Sequence, residues 1–338
     1  PRVTLPEPFS RQVFTEDDLS DINPEAHAYV KKQLQDTEPF AYMRPPGLKK
    51  SVLLPGFYGG ANWGGVAFDP ASNLYYINGT EAPHIVQIQA VEVDKGTEYG
   101  RGALLYRQQC SGCHGLELQG FYPYAPPLAG IAERTGQREA RRTIREGKGR
   151  MMPFAQLATH DVDALLEYIY NWDPAKQAEG GTQEEEIAYV FAGYNDFVDQ
   201  RWYPAIKPPW GTLTAIDMIS GKKRWQIPLG EYAQLTAEGI PPTGTRNFGG
   251  PVVTAGGLLV IAATADEMLR IFDKTSGELL WQYKLPAAGY STPATYEIDG
   301  QRMDMYDADG SRVLTFEAAA SVEEILKEAA ETVDLPVV

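Results

Sequence analysis

Three features of the sequence predict a mainly β chain, folded as part of a β-propeller and interrupted by a small all-α domain. Short apolar runs punctuated by Gly, Pro and Asn fill residues 51–88 and return from Ile187 to about Tyr296. Two of those runs repeat one another. Between them, from about Gly96 to Asp173, apolar residues recur at helical spacing.

At 338 residues the chain can hold two domains with cores of ordinary size, and a hydrophobic content of 43% is that of a globular protein. The 33 Gly and 25 Pro, with 19 Tyr, 12 Phe and 6 Trp, suit strands joined by tight turns. A net charge of −15 argues against a nucleic-acid partner and against an anionic membrane surface. No apolar run reaches the roughly 18 residues of a membrane span. The opening PRVTLPEPFSRQ has neither an initiating Met nor a leader, as expected of a mature or cropped product, so a missing leader does not imply a cytoplasmic site.

Residues 1–96 read as a polar, Pro-rich entry with one acidic-start helix in TEDDLSDINPEAHAYVKKQLQDT, followed by the strands SVLLPGFYGG, GGVAFD and NLYYING. Residues 97–175 read as the helical domain, with helices in EYGRGALLYRQQC, REARRTIREG and THDVDALLEYIYNW; Leu165, Leu166 and Ile169 form one stripe of the last. Residues 176–300 return to strands. Residues 301–338 depart from the pattern and hold a helix with Val322, Ile325 and Leu326 on one face.

The repeat links LTAIDMISGKKRWQIPLG to LRIFDKTSGELLWQYKLPAAG, matching Leu213 to Leu269, Asp217 to Asp273, Gly221 to Gly277 and Trp225 to Trp281 at one constant offset. A second correspondence links Asn62-Trp63-Gly64-Gly65 to Asn247-Phe248-Gly249-Gly250. Each unit runs from an N-(W/F)-G-G strand to a D-x-x-(S/T)-G turn and a closing Trp. The first is split by the helical domain. A unit of this size built from several short strands is the mark of a propeller blade. Two blades and part of a third do not close a ring, so a longer propeller or a covering partner is expected.

The helical domain opens on YRQQCSGCHGLELQG, which holds the only two cysteines of the chain. Cys110-Ser-Gly-Cys113-His114 is C-x-x-C-H, the attachment signature of c-type haem. Two thiols three positions apart each form a thioether with one porphyrin vinyl group, and His114 then supplies the iron's proximal nitrogen. A zinc site needs four ligands, and His27, His84 and His160 stand in unrelated contexts. A redox pair would want a thioredoxin-like setting, which is absent, and a disulfide across two residues would serve no structural purpose. A sixth ligand should lie downstream, where GKGRMMPFAQL offers Met151 and Met152 in a loop marked by Gly and Pro153; thioether ligation raises the potential and suits electron transfer.

With this haem box and a downstream Met-Pro, the domain resembles the small class I cytochromes c. That resemblance points to Met152 rather than Met151. It also implies that a proline carbonyl after the haem box, matching Pro127 of APPLAG, orients the proximal histidine.

The strand segments LPGFYGGANWGGVAFDPASNLYYING and RNFGGPVVTAGGLLVIAATADEMLRIFDKTSGELLWQYKLPAAGYSTPATYEIDG, with the repeated turns, resemble the quinoprotein dehydrogenases. These are eight-bladed propellers that carry pyrroloquinoline quinone (PQQ) and oxidise alcohols or sugars; some carry an inserted cytochrome. The resemblance covers roughly residues 9–300. It implies that Asn62 and Trp63 contact the quinone from the propeller centre and that Phe248 lies at its edge. The alternative is that Asn62 completes a turn and Trp63 packs between blades. Trp225 and Trp281 are expected to serve blade packing alone. In the family the first half of the propeller supplies the tryptophan floor, the Ca²⁺ ligands and the catalytic aspartate. No segment here matches that half, so the catalytic residue is unknown and Asp69, Asp266 and Asp273 are not assigned that role.

These residues and resemblances together lead to the expectation of a quinohaemoprotein dehydrogenase, or the C-terminal part of one, in the periplasm. It would pass electrons from an alcohol or sugar through PQQ to haem c and on to a downstream acceptor, with Ca²⁺ ligands lying elsewhere. The rival expectation is a c-type electron carrier or scaffold whose incomplete propeller binds no PQQ.

Overall fold

In the computed structural model, residues 4–94, 97–121, 125–174, 185–294, 302–306 and 312–317 are described. Helix α1 (Pro24–Leu34) comes after a short capped turn at Thr15 and is the acidic-start helix expected from the sequence. Strands β1 (Thr37–Glu38), β2 (Lys50–Leu53), β3 (Ala67–Asp69) and β4 (Leu74–Thr80) come next. The chain then runs through β5 (His84–Val86), β6 (Ile88–Asp94) and helices α2 (Glu98–Gln109), α3 (Ser111–His114), α4 (Gln137–Glu146) and α5 (Thr159–Tyr170). Strands β7 (Glu185–Phe191) and β8 (Asn195–Asp196) precede β9 (Gly211–Asp217) and β10 (Lys223–Pro228). The last strands are β11 (Val252–Val253), β12 (Leu258–Ile261), β13 (Met268–Asp273) and β14 (Leu279–Lys284), then a separate pair, β15 (Arg302–Tyr306) with β16 (Arg312–Glu317). The helix expected around Val322, Ile325 and Leu326 lies outside the described residues.

Two compact units result. The first comprises residues 1–32, 54–83 and 198–338. It contains two antiparallel four-stranded sheets, β3-β4-β9-β10 and β11-β12-β13-β14, each a propeller blade. The repeat read from the sequence is therefore structural: both N-(W/F)-G-G segments precede a first strand, and both D-x-x-(S/T)-G turns join a third strand to a fourth. Strand β4 pairs with β9 from Leu74↔Asp217 to Thr80↔Gly211, although residues 81–210 intervene. The split thus falls between the second and third strands of the first blade.

Each turn is built by its aspartate. Asp217 Oδ1 accepts the Ile219 and Ser220 amides, and Asp273 Oδ1 accepts those of Thr275 and Ser276. Gly221 and Gly277 then adopt φ of 71° and 77°, which a side chain would resist.

The blades pack through Ala67, Leu74, Tyr76, Leu213 and Ala215 against Leu259, Ile261, Ala263 and Phe272. Trp225 lies against Tyr76, ring centroids 5.9 Å apart, and covers Gly277 of the next blade, where a Cβ would come within 3.0 Å of the indole. That is the blade-docking role expected of it. Trp281 stacks on Tyr283 at 5.9 Å and packs in the second blade's own cluster.

Buried polar contacts fix the register between blades. Asn78 Nδ2 donates to Asn247 Oδ1 at 2.7 Å, Asn247 Nδ2 donates to the Gly79 carbonyl at 2.8 Å, and Lys274 pairs with Asp69 at 2.9 Å. The Ser72 hydroxyl and Lys274 hold Asp69 below the usual carboxylate range. Asp69 and Asp273 thus each carry a structural task.

The second unit comprises residues 33–53 and 84–197. Its sheet β1-β2-β5-β8 and the β6–β7 ladder accompany the four helices. Helices α2 and α5 cross over a core of Ala103, Tyr106, Leu118, Leu165, Tyr168 and Ile169. Ala140 and Ile144 of α4 pack on Val162 and Leu166 of α5. The stripe Leu165, Leu166, Ile169 is buried, as its spacing predicts.

Candidate functional site

In the helical unit, Cys110 ends α2 and caps α3, so the C-x-x-C-H box is one turn wound tightly on the end of the preceding helix. The His114 amide donates to the Cys110 carbonyl at 2.9 Å, and the Tyr106 hydroxyl donates to the Gly115 carbonyl at 2.8 Å. Cys110 and Cys113 form no disulfide; Cys113 is exposed and Cys110 half-buried. Burial pushes the Cys110 thiol up to about 12. Cysteines at i and i+3 share one face of a helical turn, the placement that two thioether bonds to one porphyrin need.

His114 is buried, and its Nδ1 lies 2.9 Å from the Pro126 carbonyl. A carbonyl can only accept, so Nδ1 carries the proton and Nε2 is left with its lone pair, as an iron ligand requires. Burial lowers the His114 pKa while the Pro126 contact opposes the shift. The proline expected to do this was Pro127. The structure moves the contact one residue earlier, because the Pro127 carbonyl instead accepts from Arg134 Nη2 at 2.9 Å. Two consecutive prolines made the register ambiguous in the sequence.

The candidate axial methionines differ in surroundings. Met151 packs against Ala140, Ile144, Val162 and Leu166. Met152 is 67% exposed. The loop carrying both is held by reciprocal amide–carbonyl bonds between Lys148 and Met151 at 3.1 Å and by the Phe154 amide on the Ile144 carbonyl at 2.9 Å. The Met152 side chain is thus largely in solvent, whereas that of Met151 fills the seam between α4 and α5.

In the propeller unit, Asn62, Trp63 and Phe248 stand on the two N-(W/F)-G-G segments, which cross at Gly64 and Gly249. A Cβ on Gly64 would sit 1.9 Å from the Gly249 carbonyl carbon, so only glycine permits the crossing. Thr292 clamps it, donating its hydroxyl to the Gly64 carbonyl at 2.7 Å and accepting the Gly250 amide at 3.0 Å. The Asn62 side chain accepts the Trp63 amide at 2.8 Å and reaches the Tyr58 carbonyl at 3.5 Å. Trp63 is 70% exposed, so its indole does not pack between these blades.

Phe248 lies edge-on to Tyr58 at 5.9 Å and to Tyr290 at 5.0 Å. Arg246 rests its guanidinium 4.6 Å from the Tyr58 ring centre and donates to the Tyr58 hydroxyl at 3.1 Å. Sequence patterns do not single out Tyr58, Arg246 and Tyr290, although Arg246 directly precedes Asn247 and Tyr58 lies four residues before Asn62. An exposed indole, an amide and a ring-stacked guanidinium thus stand on or beside the crossing segments. Among the described residues no three His, Cys, Asp or Glu side chains gather as a metal site, and no helix is long and apolar enough to cross a membrane.

Comparison with known proteins agrees with both halves. The model of the PQQ family, the glucose/ethanol/alcohol dehydrogenase β-propeller domain, matches residues 1–113 and 144–303. The model of cbb3-type cytochrome c oxidase subunit III matches residues 97–169. Among curated relatives, the quinate/shikimate dehydrogenase (quinone) of Acinetobacter baylyi is 26% identical over 79% of the chain and 25% of its own length. The glycerol dehydrogenase large subunit of Gluconobacter oxydans is 28% identical over 76% of the chain and 27% of its own. The Escherichia coli quinoprotein glucose dehydrogenase is 36% identical over 39% of the chain and 17% of its own length. The chain therefore spans about a quarter of the first two. The solved quinohemoprotein alcohol dehydrogenase of Comamonas testosteroni aligns over 76% of the chain and 23% of its own, with 16% identity and a TM-score of 0.37.

Proposed function

Because the chain belongs to the PQQ-dependent dehydrogenase β-propeller family, we propose that it is the segment of a quinohaemoprotein dehydrogenase that helps hold PQQ and carries the haem c accepting its electrons. When bound, PQQ supplies a two-electron quinone and haem c a one-electron iron centre. Cys110 and Cys113 would hold the porphyrin covalently, and His114 and Met152 would occupy the two axial positions. Asn62 would donate to a quinone carbonyl or carboxylate, with Trp63 and Phe248 as aromatic walls. Carrying the acceptor on the same polypeptide raises its effective concentration, so electron transfer needs no second encounter. An alcohol or a sugar is the proposed substrate class. Covalent haem attachment supports a site of action outside the cytoplasm. The observation that carries this reading is the haem box, with its histidine fixed in the ligating tautomer, on a chain segment inserted between two paired strands of a PQQ-family blade.

The axial assignment has its own test. Met152→Ala should abolish the weak sulfur-to-iron absorption band in the red and leave the haem covalently attached. Met151→Ala should keep the band but cost about 1–2 kcal/mol, the loss of a partly packed methionine. Loss of the band in the Met151 variant would transfer the ligand role to that residue.

The quinone assignment is tested by fluorescence titration with PQQ and Ca²⁺. The 338-residue chain alone should bind weakly, since it supplies one edge of the site and no carboxylate cluster for a cation forms among the described residues. The same segment joined to the remaining blades of its propeller should bind tightly and reduce its haem when given an alcohol or aldose. Asn62→Ala in that longer protein should weaken PQQ retention with no change in the haem spectrum. Tight binding by the chain alone, or full PQQ retention after Asn62→Ala, would contradict the assignment.

A further inference from the structure

The chain has a net charge of −15, yet residues 134–150 hold seven arginines or lysines against two glutamates. This basic run is α4 and the loop after it. Ala140 and Ile144 bury the inner face of α4, which leaves Arg138, Arg142 and Arg145 in an i, i+4, i+7 row on the outer one. Arg141 is drawn to Asp163, Lys148 to Glu139 at 3.1 Å and Arg145 to the Thr159 hydroxyl at 3.3 Å. Arg138 and Arg142 are exposed and make no ion pair among the described residues.

Helix stability does not account for the pattern. Arg138 stands in the first turn of α4, where a cation opposes the macrodipole. The end of α4 is also hydrogen-bonded to the loop bearing Met152, through Phe154 N to Ile144 O at 2.9 Å. The basic face and the exposed thioether therefore belong to one bonded piece of structure.

We propose that this face docks an acidic one-electron carrier protein that takes electrons from the haem. The proposal rests on the haem reading above and adds the partner's chemistry. In the exchange one electron leaves the haem iron and reduces the carrier's redox centre, with no bond or proton transferred. Physiological salt screens charges beyond about 8 Å, so a docked protein feels the local positive field rather than the −15 of the whole chain. An anionic membrane, the alternative occupant, would show itself by sedimentation with anionic vesicles.

The test uses the haem-loaded chain, reduced and mixed with ferricyanide or with tris(phenanthroline)cobalt(III) at increasing salt. The net charge alone requires the ferricyanide rate to rise with salt; the basic face requires it to fall, and the cobalt rate to rise. Arg138→Glu with Arg142→Glu should lower the low-salt ferricyanide rate about ten-fold and remove its salt dependence, with the haem spectrum and unfolding temperature unchanged. Arg138→Gln with Arg142→Gln should give a smaller loss in the same direction, so that reversed charge is not confused with misfolding.

A ferricyanide rate that rises with salt and ignores both double variants would overturn the proposal. So would unaffected rates combined with lost sedimentation on phosphatidylcholine/phosphatidylglycerol vesicles, or with a lost salt-sensitive dimer. These readouts are independent of the red sulfur-to-iron band, so failure of the docking face and failure of the Met152 assignment are told apart.

Discussion

Gly102→Ala is expected to destabilise the helical unit by about 1–3 kcal/mol, the usual cost of overpacking a tight contact, and Gly102→Val by more. The direction is the informative part. In an ordinary helix interior, alanine in place of glycine gains roughly 0.5–1 kcal/mol. Here a Cβ would stand 1.9 Å from the Ala164 carbonyl oxygen and 2.8 Å from Tyr168 Cβ, so α2 and α5 must separate to admit it. The separation would reach the haem box directly, because Cys110 is both the end of α2 and the cap of α3. Thermal unfolding of the haem-loaded protein, monitored in the Soret region, measures the loss. A stabilised Gly102→Ala variant would show that the helices do not cross at this residue.

Asp266→Ala should cost the propeller unit about 3–5 kcal/mol, because it leaves a buried cation without its partner. Asp266 meets Arg270 twice, at 2.5 and 3.0 Å, accepts the Thr264 hydroxyl at 2.5 Å and accepts the Glu231 amide at 2.9 Å. Arg270 is buried and the Asp266 side chain is only 10% exposed. Burial works against ionisation of Asp266, but the bonds from Arg270, Thr264 and Glu231 outweigh it and hold the carboxyl below its ordinary range.

A carboxyl depressed on folding contributes stability that is present above its unfolded value of about 3.9 and is lost as pH falls through the folded value. Denaturant unfolding of the parent should therefore weaken steeply below about pH 4, with Asp69 and Asp273, likewise depressed, adding to the slope. Asp266→Asn should flatten that slope. A variant with the parent's stability and the parent's pH profile would remove Asp266 from the framework and reopen its role.

Much of the architecture was legible because it is carried by local chemistry. The two D-x-x-(S/T)-G turns need an aspartate to gather amides and a glycine at positive φ, and both demands are written in one short motif. The haem box is equally local. The stripe Leu165, Leu166, Ile169 announced the face of α5 that is buried.

Long-range contacts were not legible. Nothing in the spacing of Arg246 and Tyr58 says that their side chains stack, because the contact exists only once the two glycine segments cross. The Pro126 contact to His114 depends on the path of the intervening loop, and either proline of the pair satisfied the pattern. The blade split between second and third strands needed the pairing of β4 with β9, which joins residues on opposite sides of the helical unit in sequence.

The most direct test of the central claim is whether this chain carries haem covalently at one turn of helix. Expressed with a c-type cytochrome maturation system and then denatured, it should retain one haem per chain in the pyridine haemochrome spectrum and in the mass of the intact polypeptide. Cys110→Ala with Cys113→Ala should lose both signals. Haem that acid acetone extracts from the parent chain, or a parent whose two thiols stay free after maturation, would contradict the claim.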